Sequence, residues 1–298
     1  MKENESNRYL DVVAKSAVTT IDEVVEGRVQ EILADHYAEN HNESVHRFLL
    51  NCVDLTTLSS EDTESSVAEF TQRVNEFEEE YPNINNVAAI CVYPNFASVV
   101  RTNLDVSGVR VAVVGGNFPS SQARIEVKVA ECNLAVLDGA EEVDIVYNLG
   151  LDGDECYEEL TDEIQEIKDA IGVAHLKVIL ETGALKTAAN IKRAAILSMY
   201  AGADFIKTST GKIYPGATLE AAYVMCECIK EYYEKCGRRV GFKVSGGVRT
   251  TEDAVRYYTI AKEILGDEWM TNDLFRIGAS SLANNLFASI TGSEEKPF

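Results

Sequence analysis

The sequence predicts an α/β protein built as a closed (β/α)8 TIM barrel of parallel strands, with a helical extension at its N-terminus. Three observations lead there. Short β-rich runs alternate with helical stretches from Phe48 onward, the pattern left when crossover helices join parallel strands. Gly and Pro gather just after those runs, as in Tyr93-Pro94-Asn95, Gly115-Gly116-Asn117-Phe118-Pro119, Thr182-Gly183, Thr210-Gly211 and Gly246-Gly247, where such a barrel builds its active face. The chain has 298 residues, 46% of them hydrophobic, and without the extension roughly 250 remain, the usual size of this fold.

Residues 1–48 read differently from the rest. They carry an amphipathic helical pattern around Ile21 to Leu33 and then a polar stretch from Asp35 to Ser44, with no constellation of reactive side chains, so capping of the barrel or packing in a homodimer is expected of them rather than catalysis. Residues 49–298 form the expected catalytic domain. The strand runs are Leu49 to Leu55, Val87 to Tyr93, Val109 to Val114, Glu142 to Tyr147, Leu176 to Leu180, Asp204 to Lys207, Val240 to Val244 and Leu274 to Ile277. Helices are expected between and after them, near Thr63 to Glu80, Phe96 to Leu104, Gln122 to Leu137, Tyr157 to Ala170, Ala188 to Tyr200, Leu219 to Glu234, Thr251 to Leu265 and Ser281 to Ile290. A doubly wound open sheet competes with the barrel, but neither a Gly-x-Gly-x-x-Gly fingerprint after a strand nor a phosphate-binding Gly-x-x-x-x-Gly-Lys-Ser/Thr loop is present.

Charge narrows the partners. With 27 basic against 49 acidic residues the net charge is −22, which argues against nucleic acid or an anionic membrane surface. No apolar run approaches the length of a membrane span. Seven cysteines without a secretory leader point to reduced thiols in a cytoplasmic protein. Three of the four histidines, His36, His41 and His46, fall in the polar N-terminal region, so a histidine-built metal centre is not expected.

The chemistry is expected at two lysines. Lys207 ends the run Asp204-Phe205-Ile206-Lys207 and Lys243 stands near the end of the run Val240 to Val244, each run followed by small turn-forming residues. An ammonium on a β-rich run loses solvation that only a partner or a depressed pKa can offset, and two facing each other disfavour each other's protons, one route to a nucleophilic amine. Strand alternation puts Phe205 on the face of Lys207, and Gly241 and Ser245 on that of Lys243. Asp144, in Val143-Asp144-Ile145-Val146, is a carboxylate in an apolar strand that Lys207 or Lys243 could neutralise; a purely structural ion pair is the competing reading. Asp54 ends the first strand run, either capping the next loop or supporting catalysis, and Cys91 on the second reads as core packing. Lys177 and Glu181 share a face of the fifth strand and are expected to pair, with Glu181 nearer the site.

A local positive concentration, Lys207, Lys212, Lys243 and Arg249, suits a phosphorylated substrate in so acidic a chain. Gly211, Gly246 and Gly247 let main-chain amides approach an anion, and Ser280 and Ser281 stand where a helix begins.

At this point the sequence resembles the deoxyribose-phosphate aldolases, Schiff-base enzymes of the barrel class, from about Asn51 to Ala283. The residues that carry the resemblance are Phe205-Ile206-Lys207-Thr208-Ser209-Thr210-Gly211-Lys212, Gly241-Phe242-Lys243-Val244-Ser245-Gly246-Gly247-Val248-Arg249 and Arg276-Ile277-Gly278-Ala279-Ser280-Ser281. Asp54-Leu55-Thr56-Thr57-Leu58, Ala89-Ile90-Cys91-Val92-Tyr93-Pro94, Glu142-Val143-Asp144-Ile145-Val146 and Lys177-Val178-Ile179-Leu180-Glu181-Thr182-Gly183 support it. The resemblance implies that Lys207 forms the imine, Lys243 lowers its pKa and Asp144 handles protons. It implies reversible cleavage of 2-deoxy-D-ribose 5-phosphate to acetaldehyde and glyceraldehyde 3-phosphate in deoxyribonucleotide catabolism, with no metal or other cofactor. Asp54, Cys91, Thr208, Gly211, Lys212, Gly246, Gly247, Ser280 and Ser281 make up the expected binding and supporting set.

The sequence departs from the family in its N-terminal extension, in the segment Gly116-Asn117-Phe118-Pro119-Ser120-Ser121, and in Phe298, which lacks the hydroxyl of the terminal tyrosine some members use. A phosphosugar isomerase would need a Glu base and a His electrophile at strand ends; Glu181 fits, whereas His175 stands at the wrong end of its strand.

Overall fold

The structure, a computed structural model, describes residues 7–298. Eight parallel strands close into a barrel in sequence order: β1 Val53–Thr56, β2 Ala89–Val92, β3 Arg110–Val114, β4 Glu142–Val146, β5 His175–Ile179, β6 Phe205–Lys207, β7 Gly241–Ser245 and β8 Phe275–Ala279. Each expected run overlaps its strand, with β1, β5, β7 and β8 reaching one or two residues beyond it. The crossover helices also fall where periodicity puts them, with Ala188–Tyr200 and Thr251–Leu265 matching at both ends. Four of the helices start at a threonine, Thr63, Thr187, Thr218 or Thr250, whose side chain accepts from the backbone amide three residues on, satisfying a donor that the helix itself leaves unpaired.

The first strand is the largest departure. Leu49 and Leu50 belong not to it but to a helix, α3 (Glu43–Leu50), which follows α1 (Asn7–Lys15) and α2 (Asp22–Asn40). Val45, His46, Leu49 and Leu50 are the buried residues of α3, and Asn42 caps its start by accepting from the Val45 amide at 3.1 Å. A short apolar run fits either period, and the cap together with the helical spacing decides it here. The polar stretch from Asp35 to Ser44 is accordingly helical over most of its length, and α3 crosses the expected 48/49 boundary.

The extension packs on the barrel's own outer helices. Lys192 donates to the carbonyls of Ser16 and Val18 at 2.9 and 3.0 Å, holding the end of α1 on the Ala188–Tyr200 helix. Val25 and Val29 of α2 are buried, and Asn40 reaches Thr259 of the Thr251–Leu265 helix at 3.3 Å. Phe48 of α3 lies 6.1 Å from the ring of Phe275, the first residue of β8, so α3 closes over the N-terminal strand ends there. Phe298 rests on Phe77 with ring centroids 4.4 Å apart, and its backbone exchanges two hydrogen bonds with Asn284.

Register sets charged residues beside one another around the barrel. Lys207 on β6 pairs with Lys243 on β7, Asp144 on β4 with Lys177 on β5, and Lys243 with Arg276 on β8. Phe205 pairs with Gly241, where a Cβ would stand 2.2 Å from the Phe205 ring, so this layer fits only with glycine opposite the aromatic. On β2 and β3 the interior is apolar instead, with Ala89, Cys91, Ala112 and Val114 buried together.

Candidate active site

Seven charged side chains meet inside the barrel, all buried: Asp54, Glu142 and Asp144 against Lys177, Lys207, Lys243 and Arg276. Asp144 is the centre. Its Oδ2 accepts from Lys207 Nζ and from Lys243 Nζ, each at 2.8 Å, and its Oδ1 accepts from Lys177 Nζ at 3.0 Å. Lys243 also donates to Asp54, whose other oxygen accepts from Arg276 at 2.6 Å. Glu142 lies one layer deeper, bound by Lys177 and by the Arg276 guanidinium, at 2.9 Å to Nη2. The Phe205 ring lies against this deeper group, 5.9 Å from both Lys177 Nζ and the Arg276 guanidinium carbon.

The environment treats the two register-paired lysines differently. Burial and then the positive charge of Lys243 lower the pKa of Lys207 against the pull of Asp144. Burial acts the same way on Lys243, but Asp144 and Asp54 outweigh it, and its pKa is raised. Asp144 loses solvation too, and Lys177, Lys207 and Lys243 more than compensate, holding it well below the usual carboxylate range. Lys177 and Arg276 are raised as well, despite burial, by their carboxylate partners. Three carboxylates therefore face four basic groups, and Lys207 is the one of the four whose pKa falls.

Above the lysines a cavity of about 260 Å³ opens at the C-terminal strand ends, lined by Lys207, Gly211, Lys212, Ser245, Gly246, Gly247, Arg249, Ser280 and Ser281 among others. Gly246 has φ +83°, and its carbonyl lies so close to Gly216 that a Cβ there would approach to 1.9 Å. The two loops thus touch backbone to backbone, joined by the Ala217 amide donating to the Gly246 carbonyl at 3.0 Å. Lys212 bridges the mouth to the Leu58 carbonyl at 2.6 Å. Ser281 precedes the helix Leu282–Thr291 without capping it through its side chain, so first-turn amides remain as donors for an anion.

Other expected residues take supporting positions. Thr208 does not line the cavity: its hydroxyl donates to the Ser245 carbonyl and accepts from the Ser245 amide, both at 3.0 Å, tying the ends of β6 and β7. Cys91 is buried in the apolar quarter of the barrel, where desolvation raises its thiol pKa. Asp54 is bound by Lys243 and Arg276 rather than capping its loop through backbone amides.

The expected Lys177–Glu181 pair is absent. Strand direction accounts for it, because Lys177 lies a full layer below Glu181 and level with Asp144, its register partner. Glu181 turns out of β5 in a left-handed conformation (φ +58°) and accepts from the Thr210 amide at 3.1 Å and the Thr210 hydroxyl at 2.5 Å. It braces the loop after β6. His175 begins β5 at the far end of the barrel, 3.6 Å from Glu142, so the pair an isomerase would need is not assembled. Sequence reading gave Lys177, Glu142 and Arg276 no place in the site. Their signal was the one that singled out Asp144, a charge inside a strand run.

A closed parallel barrel with a cavity at its C-terminal strand ends over buried amines and carboxylates is the architecture of a barrel enzyme. Residues 48–295 match the DeoC/LacD family aldolase, and the chain belongs to that family. A Caenorhabditis elegans protein provisionally named deoxyribose-phosphate aldolase is 45% identical over 246 residues, 82% of this chain and 81% of that one. The Homo sapiens deoxyribose-phosphate aldolase is 40% identical over 249 residues, 78% of this chain and 77% of its own. Among solved structures, one provisionally named deoxyribose-phosphate aldolase from Coccidioides immitis superposes with a TM-score of 0.68 at 28% identity, covering 90% of this chain and 98% of the other.

Proposed function

We propose that this aldolase reversibly cleaves 2-deoxy-D-ribose 5-phosphate to acetaldehyde and D-glyceraldehyde 3-phosphate through an imine on Lys207, within deoxyribonucleotide catabolism in the cytoplasm. The observation that carries the assignment is the uneven charge inside the barrel. The three carboxylates hold Lys177, Lys243 and Arg276 as cations by raising their pKa values, while Lys207 is the one of the four whose pKa is lowered. A lowered pKa makes Lys207 the one of the four that gives up its proton most readily.

In the cleavage direction the amine adds to the C1 aldehyde of the open-chain sugar, and loss of water gives the protonated imine. The bond that breaks is C2–C3, because C2 is the carbon next to the imine. Its electron pair moves into an enamine on Lys207 while the C3 hydroxyl gives up its proton and becomes the aldehyde of glyceraldehyde 3-phosphate. Protonation of the enamine at C2 and addition of water then release acetaldehyde and restore the amine. Asp144, 2.8 Å from both Lys207 and Lys243, bridges these nitrogens for the proton transfers. Asp54 keeps Lys243 charged, and the cavity glycines with Lys212, Ser280 and Ser281 receive the phosphate. The imine is the electron sink, so no metal or other cofactor is needed.

The test is reduction with borohydride in the presence of acetaldehyde, followed by peptide mapping. The expected product is one adduct on the peptide carrying Lys207. A label on the Lys243 peptide, or no adduct together with turnover lost on chelation, overturns the reading.

A further inference from the structure

His41 and His46 meet at the corner where α2 ends and α3 begins. His41 follows the last residue of α2 and is exposed, whereas His46 lies on the buried face of α3 and is 8% exposed. Neither ring nitrogen of His46 has a hydrogen-bond partner, and among the described residues it is the one buried side chain with two unmatched polar atoms. A neutral imidazole offers one donor and one acceptor, so burial without partners leaves both unsolvated. The neighbouring ring is His41, with centroids 5.1 Å apart and planes tilted by 59°. His41 Nδ1 stands 3.5 Å from the Tyr37 hydroxyl, which leaves its Nε2 for another partner. From the sequence these histidines belong to a polar stretch with no metal centre expected of it, and it is the turn from α2 into α3 that sets them side by side.

We propose that His41 and His46 together bind one divalent transition-metal ion of the imidazole-preferring class, zinc first among them. The ion takes the acceptor nitrogen that His46 leaves unmatched. Ring spacing agrees with two ligands on one ion: with zinc about 2.0–2.1 Å from each nitrogen and the ring centre about 1.1 Å beyond, a tetrahedral angle sets the centroids about 5.2 Å apart. The separation in sequence, His-x4-His, also falls within the about three to five intervening residues usual for the histidine half of a zinc site. Charge favours a cation there, since Glu252 bears on both rings and Glu43 on His46, in a chain of net charge −22. Water completes the shell, and the exposed His41 gives the ion a way in. A second gathering, His36 with Glu39 and Glu263, is less suited: His36 Nδ1 is 2.9 Å from Glu39 and its Nε2 3.5 Å from Glu263, so ion pairing already accounts for both nitrogens. At the His41–His46 corner the ion joins two elements that reach different parts of the barrel. Asn40 at the end of α2 bonds Thr259 on the Thr251–Leu265 helix, and α3 leads into β1, which carries Asp54. Binding there fastens the extension to the barrel without entering the reaction.

Zinc chloride titrated calorimetrically into the full chain under reducing conditions is expected to bind at micromolar concentration and to raise the thermal midpoint as its concentration rises. His41→Gln, at an exposed position that folding does not depend on, should weaken binding at least about tenfold and remove the rise in midpoint; His46→Gln should do the same. His36→Gln should leave both unchanged. Calcium chloride should not replace zinc, because calcium takes oxygen ligands. None of these readouts uses turnover, so they are independent of the aldolase reading. Absence of binding at micromolar zinc, binding unmoved by His41→Gln, binding lost with His36→Gln, or equal affinity for calcium would each overturn the proposal.

Discussion

Lys207 and Lys243 are register partners on adjacent strands and donate to the same oxygen, Asp144 Oδ2, at the same distance of 2.8 Å. They differ in what else they touch. Lys243 has Asp54 as a second carboxylate and Lys207 has none, so the pKa of Lys243 is raised while that of Lys207 is lowered.

Lys243→Leu removes the cation beside Lys207 and leaves three carboxylates facing Lys177 and Arg276. Lys207 then completes the balance by keeping its proton. The rate near neutrality should fall steeply and recover as pH rises, because the reactive amine appears only above a raised pKa. Lys207→Arg, which keeps charge without a free amine, should give no trapped adduct at any pH. The pH–rate profile and adduct mass check both, and a Lys243→Leu profile parallel to that of the unaltered enzyme would refute the coupling.

Lys177 should act on the same amine without touching it. Its Nζ is 3.0 Å from Asp144 Oδ1 and also bound to Glu142, so Lys177→Met again leaves a carboxylate in excess. The acid limb of the rate profile is expected to move up by about 1–3 pH units. Removing one partner of a buried pair also costs about 3–5 kcal/mol of stability, less what Lys207 protonation returns. Denaturant unfolding measures the second effect, and only the limb shift distinguishes a positioning role from a structural one.

Phosphate recognition should separate from the chemistry. Lys212 lines the cavity without contacting Asp144, and Lys212→Glu should lower kcat/KM for deoxyribose 5-phosphate by about 10- to 100-fold, the worth of one charged hydrogen bond. Turnover of unphosphorylated deoxyribose should be nearly unchanged. Equal losses on both sugars would remove Lys212 from the phosphate site.

Acid should unfold this protein cooperatively from within the barrel. Asp54, Glu142 and Asp144 all have folded-state pKa values below their unfolded ones, because the interior cations outweigh their burial. The stability they contribute is complete above the unfolded carboxylate values, about pH 4, and is lost progressively as pH falls below that toward the folded values. Urea midpoints measured downward from pH 6 should stay level and then drop below about pH 4, and Lys177→Met should soften the drop.

The eight strands and the two strand-end lysines were legible because their signals are local. A charge in an apolar run, a period of two and a glycine after a strand are each read within about ten residues. Leu49 and Leu50 were not, since a short apolar run satisfies both periods until the Asn42 cap commits it to helix. Motif likeness had marked Lys207 for the imine, while the runs alone left both lysines eligible. The partners of Lys177 and the bracing of Thr210 by Glu181 lie outside what any local pattern specifies. Strand register and barrel closure bring Asp54, Asp144 and Arg276 together across 222 residues of chain. Only that assembled field decides which amine gives up its proton, because a pKa depends on the distance to every neighbouring charge.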